Sequence, residues 1–303
     1  MNDDKSMPNF PILDDGSVPG FLKDLFKTRI VGLKKLKSSE QSIAFKFKVN
    51  RRNYILRIAS TDQGFFKDQF VRNNYFSKEL PVPKTYYIGK MGQNYYSVTS
   101  ACPGKLLDDF SDNYLIKSVS KVLDVCHAIY SADVSKTTGF GDWDQLGNGR
   151  YVSWSDFLLS VKDRYREGSY WPEGYFMSVY GAMERRVKYC PNIRKLIHGD
   201  LGSNNILVNR GKVSGVIDWS DSKYGDFVYD VAYLGFWVDV MPYRKVFPHY
   251  FKSKDVVIVN YKERFDCYTL NLALSILIYY SDSKDLNGFT YVKSRLDKFV
   301  KAI

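Results

Sequence analysis

Oxygen-bearing side chains recur at regular spacing between residues 196 and 230, in the run LIHGDLGSNNILVNRGKVSGVIDWSDSKYGDFVYD. The β-prone runs Ile206-Leu207-Val208 and Val213 to Ile217 flank Asn209-Arg210-Gly211-Lys212, a tight-turn signal, so a hairpin is expected. In an antiparallel hairpin centred near Gly211, Asn205 would come back opposite Ile217-Asp218, with facing residues roughly 5 Å apart. Upstream, Gly199 and Gly202 would let the backbone turn around the Asp200 carboxylate. Asp200, Asn205 and Asp218 would then ring one small cavity.

Oxygen ligands without Cys or clustered His suit Mg²⁺, which shares its coordination sphere with substrate phosphates. A carboxylate that orients and deprotonates an attacking hydroxyl, beside an Asn and an Asp that hold such a metal, is what phosphoryl transfer requires. Asp200 is therefore the candidate base, and Asn205 and Asp218 are the candidate metal ligands. His198 is expected to bond backbone around the loop rather than to transfer protons.

His198-Gly199-Asp200-x-x-x-x-Asn205, followed by Ile217-Asp218-Trp219, resembles the aminoglycoside phosphotransferases. Six runs resemble the hygromycin B branch of that family: Ile55 to Ile58, Gly64 to Asp68, Leu80 to Pro83, Thr138 to Gly141, Ser153 to Phe157 and Gly202 to Asn205. The likeness extends from about residue 38 to the C-terminal helices. It implies an α+β, bilobal, protein-kinase-like fold with a small antiparallel-sheet N-lobe and a larger, mainly helical C-lobe. Residues 1–99 would be the nucleotide-binding lobe, 100–104 the hinge, and 105–303 the catalytic and substrate-binding lobe. ATP or GTP with Mg²⁺ would be the phosphate source, and an aminoglycoside, hygromycin B first, the acceptor.

The elements that would position these groups follow from hydrophobic period. Ser42 to Val49 alternates, with Ile43, Phe45, Phe47 and Val49 on one face, and Asn53 to Ala59 is a second β-rich run. Thr85 to Ile88 and Tyr95 to Thr99 complete a small sheet. By resemblance the turn at Ser38 to Gln41 would cover the nucleotide phosphates; it lacks glycine, so backbone amides and hydroxyls such as that of Ser39 would substitute. Arg57 stands where kinases of this shape carry a phosphate-binding lysine, and a guanidinium also grips phosphate bidentately. In the expected helix Asp62 to Glu79, Asp68 shares a face with Val71, Arg72 and Tyr75 and is placed to pair with Arg57. Lys67 is the alternative phosphate ligand. By resemblance the backbone amides and carbonyls near Ser100, Ala101 and Cys102 would meet the adenine edge; otherwise the segment would form only a turn.

The remainder reads as helical, with apolar stripes at Leu115 to Ile129 and Trp154 to Tyr165. Glycine-rich residues 139–151, with Trp143, and residues 168–175, with Tyr170 and Trp171, are expected loops whose rings would stack on sugar or pack as core. Acids gather after the hairpin. Asp221 is expected near the acceptor; the resemblance implies that Asp226 and Asp230 support the catalytic loop, Asp226 otherwise capping the helix from Phe227 to Val240.

Composition restricts the class. The chain has 303 residues, enough for two lobes, and a formal charge of +11, but its 44 Lys and Arg are scattered rather than gathered into a nucleic-acid-binding tract. Four cysteines without paired spacing suggest neither a zinc site nor a disulfide framework. Acids near Met1 and the absence of a long apolar run fit a cytoplasmic monomer with no membrane contact. Other readings are a kinase of a different small hydroxyl compound, a nucleotide-binding pseudokinase, and a nucleic-acid binder. Only seven residues separate Asp218 from Asp226, too few for a phosphorylated activation loop, so a small acceptor is expected.

Overall fold

The computed structural model describes residues 11, 14–36, 42–166, 170–238 and 241–303. In chain order the first elements are α1 (Val18–Phe26), β1 (Val31–Lys35), β2 (Ser42–Val49), β3 (Arg52–Ala59), α2 (Gln63–Tyr75), β4 (Thr85–Met91), β5 (Asn94–Ser100) and β6 (Lys105–Leu106). There follow α3 (Asp112–Lys117), α4 (Val119–Tyr130), β7 (Phe140–Trp143), β8 (Gly149–Tyr151), α5 (Trp154–Leu159), α6 (Glu173–Val187) and β9 (Lys195–Ile197). The last are β10 (Ile206–Asn209), β11 (Lys212–Val216), β12 (Lys223–Gly225), α7 (Val228–Trp237), α8 (Tyr243–Lys252), α9 (Tyr261–Asp282) and α10 (Leu286–Ala302).

The chain forms two compact units, one of residues 1–105 with 207–220, the other of residues 106–206 with 221–303. The hairpin segment 207–220 groups with the N-terminal residues.

The first unit is built on an antiparallel sheet of order β1-β2-β3-β5-β4. The alternation in β2 buries Ile43, Phe45, Phe47 and Val49, which meet Leu56, Ile58 and Val98 from β3 and β5. Val18 and Leu22 of α1 close that core. Helix α1 opens with Pro19 in its first turn, where a missing N–H costs nothing. Helix α2 ends at Tyr75 rather than Glu79, since the Ser77 hydroxyl accepts from the amides of Glu79 and Leu80 and turns the chain ahead of Pro81. Strands β10 and β11 form the expected hairpin, with β6 as the third strand. Its two-residue turn has positive φ at both Arg210 (49°) and Gly211 (78°), the handedness that matches strand twist.

The second unit is organised around α9, against which α6, α7 and α10 pack. Its residues Arg264 to Leu274 are buried without a break, polar Arg264, Asp266 and Asn271 included, so the helix is enclosed on every side there. A four-stranded sheet of order β8-β7-β12-β9 accompanies the helices. The stretch 139–151, expected as a loop, instead contributes β7 and β8. Among the described residues no helix is long and apolar enough to cross a membrane.

Candidate active site

In the second unit the loop that carries His198 to Asn205 leaves β9 at Ile197 and is fixed from several sides. Gly199 has φ +83°, and a Cβ there would lie 2.1 Å from the Asp221 carbonyl oxygen, so the close crossing of the two segments requires glycine. Gly202 is extended, and its role is different: residues 203–205 form a single 3-10 turn behind it, closed by the Asn205 amide donating to its carbonyl (3.0 Å).

The Asp230 carboxylate accepts from the amides of His198 (2.9 Å) and Gly199 (2.8 Å). Burial pushes its carboxyl up to about 6, and those two amide bonds pull the other way. His198 is fully buried, and its Nδ1 accepts from the Asp200 amide at 3.3 Å. Asn205 donates through Nδ2 to both the backbone oxygen (2.8 Å) and Oδ2 (2.9 Å) of Asp200. Tyr233 donates its phenol to Asp200 Oδ1. Both carboxylate oxygens are thus held by neutral donors.

Asp226 lies deeper. It is fully buried and caps α7 through the Val228 amide (3.2 Å) while pairing bidentately with Arg264 at 2.8 and 2.6 Å. Tyr268, which accepts from the Trp154 indole at 3.1 Å, donates to the same carboxylate. Asp226 therefore ties the start of α7 to α9, one step removed from the loop that Asp230 touches directly.

The first unit carries a cluster of charged side chains of its own. Arg57 on β3 donates to Asp68 Oδ2 (2.7 Å) and Asp218 Oδ1 (3.0 Å), so one guanidinium bridges two carboxylates. Burial works against its charge, but Asp218 and Asp68 outweigh it and hold the pKa above its ordinary value. Burial raises the Asp68 carboxyl to about 6, with Arg57 lowering it and Asp218 adding to the rise. Asp68 also accepts the Trp219 amide at 2.9 Å. Asp218 follows β11 in the left-handed region at φ 65°, and the Ser220 hydroxyl donates to it at 3.1 Å. Lys67, the alternative phosphate ligand, is buried and donates to the Ser220 carbonyl at 2.9 Å.

At the expected hinge, the Ser100 amide donates to the Lys84 carbonyl (2.8 Å) and the Ala101 amide to the Asn53 carbonyl (3.1 Å). Both amides are thus engaged with protein carbonyls. Cys102 packs against Gly215, where a Cβ would come within 2.5 Å of its Sγ, and burial pushes its thiol up to about 11. Ser39 lies outside the described residues.

The aromatic residues expected at the acceptor are mostly core. Trp143 is fully buried in β7 and stacks on Tyr224 at 5.6 Å. Trp171 is 2% exposed among Tyr165, Phe176 and Phe289; only Tyr170, 43% exposed, offers a surface. A large indole in a helical domain gains more from burial than from waiting at a rim. Asp221 is exposed, and its backbone oxygen accepts from Lys223 at 2.6 Å.

The second unit holds a cavity of about 450 Å³ lined by Asp108, Leu115, Leu201 to Asn204, Tyr233, Leu234, Trp237 and Val238. That is within the usual range for a small-molecule site, roughly 300–1,000 Å³. Asp108 accepts from the Ser203 hydroxyl at 2.8 Å. None of Asp221, Trp143, Tyr170 and Trp171 lines it. Sequence reasoning missed Tyr233, Trp237 and Asp108; the one available signal was that Tyr233 stands three residues after Asp230, on the same helical face.

Residues 33–253 match the phosphotransferase enzyme family. The chain belongs to that family. This phosphotransferase is 30% identical over 298 residues to hygromycin-B 4-O-kinase of Escherichia coli, across 96% of this chain and 87% of that one. It is similar in structure to a thermostable mutant of aminoglycoside phosphotransferase APH(4)-Ia in ternary complex with AMP-PNP and hygromycin B. The TM-score is 0.84 at 30% identity, covering 94% of this chain and 98% of that one. The GDP complex of aminoglycoside 2'-phosphotransferase-IIIa shares the fold, with a TM-score of 0.69 at 15% identity over 95% of this chain and 98% of that one. The expected fold class, kinase-like with an antiparallel-sheet N-terminal part and a mainly helical C-terminal part, is the one found.

Proposed function

We propose that this phosphotransferase moves the γ-phosphoryl group of ATP or GTP to a hydroxyl of an aminoglycoside, hygromycin B or a close relative. The observation that carries this reading is the Asp200 carboxylate, held on both oxygens by Asn205 and Tyr233 while its own amide is tied to His198. A carboxylate fixed in this way orients an incoming hydroxyl and takes its proton. Kinship with a hygromycin-B kinase and with a structure that binds AMP-PNP and hygromycin B supports the nucleotide and the acceptor class.

Arg57 is the phosphate ligand, oriented by Asp68, and buried Lys67 braces the Ser220 backbone beside Asp218. The Cys102 amide meets the adenine edge, and the Ser39 hydroxyl the phosphates. The donor set fits Mg²⁺. Asn205 spends both its Nδ2 bonds on Asp200, which leaves its amide oxygen as an acceptor, and Asp218 supplies a carboxylate. Among the described residues no three or more His, Cys, Asp or Glu are grouped to hold a metal, so no all-protein cage of the zinc type is built there. Mg²⁺ held by Asn205 and Asp218 would neutralise charge on the nucleotide phosphates.

The cavity beside Tyr233 and Trp237 is the acceptor site, with Asp108 inside it and Asp221 outside as acids for a cationic sugar. Local acids matter because a chain of charge +11 repels a cation at long range. Residues 1–99 serve the nucleotide, 100–104 the hinge and 105–303 the acceptor, except that the hairpin 207–220 carries Asp218 to the nucleotide side. The enzyme acts as a cytoplasmic monomer without nucleic acid. A pseudokinase is disfavoured because Asp200, Asn205 and Asp218 are all present.

The test is Asp200→Asn. It lowers kcat by about 10²-fold or more with little change in nucleotide affinity. Near wild-type turnover at saturating substrates would remove Asp200 from the mechanism.

A further inference from the structure

We infer that Tyr233 is a positioning residue for the reaction, holding the Asp200 carboxylate so that a defined face of it meets the acceptor hydroxyl. The inference rests on the reading of Asp200 as the base. Helix α7 grips the catalytic loop at two points less than one turn apart. Asp230 takes the amides of His198 and Gly199, and Tyr233, three residues on, donates to Asp200 Oδ1. Residues at this spacing share a helix face, so the backbone and the reactive side chain are set by one rigid element.

The need for such a hold comes from the carboxylate itself. Its terminal torsion is broad and roughly two-fold, so one hydrogen bond leaves it free to rock. Asn205 fixes Oδ2 at 2.9 Å, and the phenol supplies the second anchor on Oδ1. Each carboxylate oxygen retains further acceptor capacity, so the acceptor hydroxyl can donate without displacing either anchor. Burial, Asp200 and Asp221 all keep the phenol protonated, far above its ordinary range, so it remains a donor. An ångström of misplacement in a reacting group costs on the order of 10² in rate, which sets the scale of what an anchor preserves.

The tyrosine ring has a separate task. It lines the cavity and packs against Trp237, ring centroids 6.2 Å apart, so the ring shapes the acceptor site while the hydroxyl serves the base. Two substitutions separate the roles. Tyr233→Phe removes the O–H and keeps the ring; Tyr233→Leu removes both.

Kinetics with ATP, Mg²⁺ and hygromycin B are measured alongside acceptor-independent ATP hydrolysis and the melting temperature. For Tyr233→Phe we expect kcat to fall about tenfold in both transfer and hydrolysis, with the KM for each substrate changed less than about twofold. For Tyr233→Leu we expect the same kcat loss with a raised KM for the acceptor. A purely structural tyrosine would instead leave kcat of the folded Phe variant at the wild-type value, and that result overturns the inference. Equal rises in both KM values with unchanged kcat overturn it too. Should wild-type protein not phosphorylate hygromycin B, the proposed acceptor fails, while the hydrolysis rates still decide the part played by Tyr233.

Discussion

Replacing Arg57 by alanine tests the charged cluster of Arg57, Asp68 and Asp218. The guanidinium is shared by Asp68 and Asp218 at 2.7 and 3.0 Å, with side-chain exposures of 19% for Arg57, 14% for Asp68 and 28% for Asp218. Removing one partner of a buried pair costs about 3–5 kcal/mol, because the remaining charge stays desolvated. Here solvent reaches all three groups, so screening reduces the loss to about 2 kcal/mol. That lowers the melting temperature by roughly 3 °C in a chain of 303 residues. The loss depends on pH in a definite direction. Asp68 has a folded-state value of about 6, above its ordinary 3.8, so its contribution is complete at low pH and is lost as pH rises through 6. Without Arg57 that value climbs further, so the gap between wild type and Arg57→Ala widens from pH 5 to pH 8. Thermal melts at the two pH values measure it, and kinetics should show KM for the nucleotide rising much more than KM for the acceptor. A gap that narrows with pH, or equal effects on both substrates, would refute the reasoning.

Asp218→Asn keeps a residue type that tolerates the left-handed φ of 65° but removes the charge. Calorimetry should find Mg²⁺-dependent nucleotide binding lost, and unchanged binding would contradict its role as a metal ligand. Asp230→Asn removes a carboxyl that burial has raised to about 6 from 3.8, a difference of at most about 3 kcal/mol. The wild type carries that contribution below pH 4 and loses it as pH rises through 6, so its stability advantage over Asp230→Asn shrinks from pH 4 to pH 7. Melting curves showing the advantage growing over that interval would contradict the sign.

The polar chemistry was readable because its spacing is local. His198, Asp200 and Asn205 lie within eight residues, and the Asn209 to Lys212 turn dictated the hairpin that follows. The alternation in β2 gave the first sheet its buried face without any tertiary information. What escaped depended on side chains that are distant in sequence. Tyr233 reaches Asp200 across 33 positions, and its only mark in the sequence is its place three residues after Asp230 on one helix face. Trp143 and Trp171 sit in segments rich in glycine or flanked by polar residues, which read as loops. The structure closes Phe140–Trp143 against Gly149–Tyr151 as strands and lays Trp171 among rings from α6 and α10. The engagement of the Ser100 and Ala101 amides was equally hidden, since their partners Lys84 and Asn53 lie on other strands or their edges.

Phosphate transfer from γ-labelled ATP to hygromycin B, followed in the presence of Mg²⁺ at low and high salt, tests the central claim most directly. One labelled phosphate should appear per antibiotic molecule, and the apparent affinity should weaken as salt screens the acids from the cationic sugar. No transfer to hygromycin B, with clear transfer to a neutral or anionic hydroxyl compound, would contradict the account.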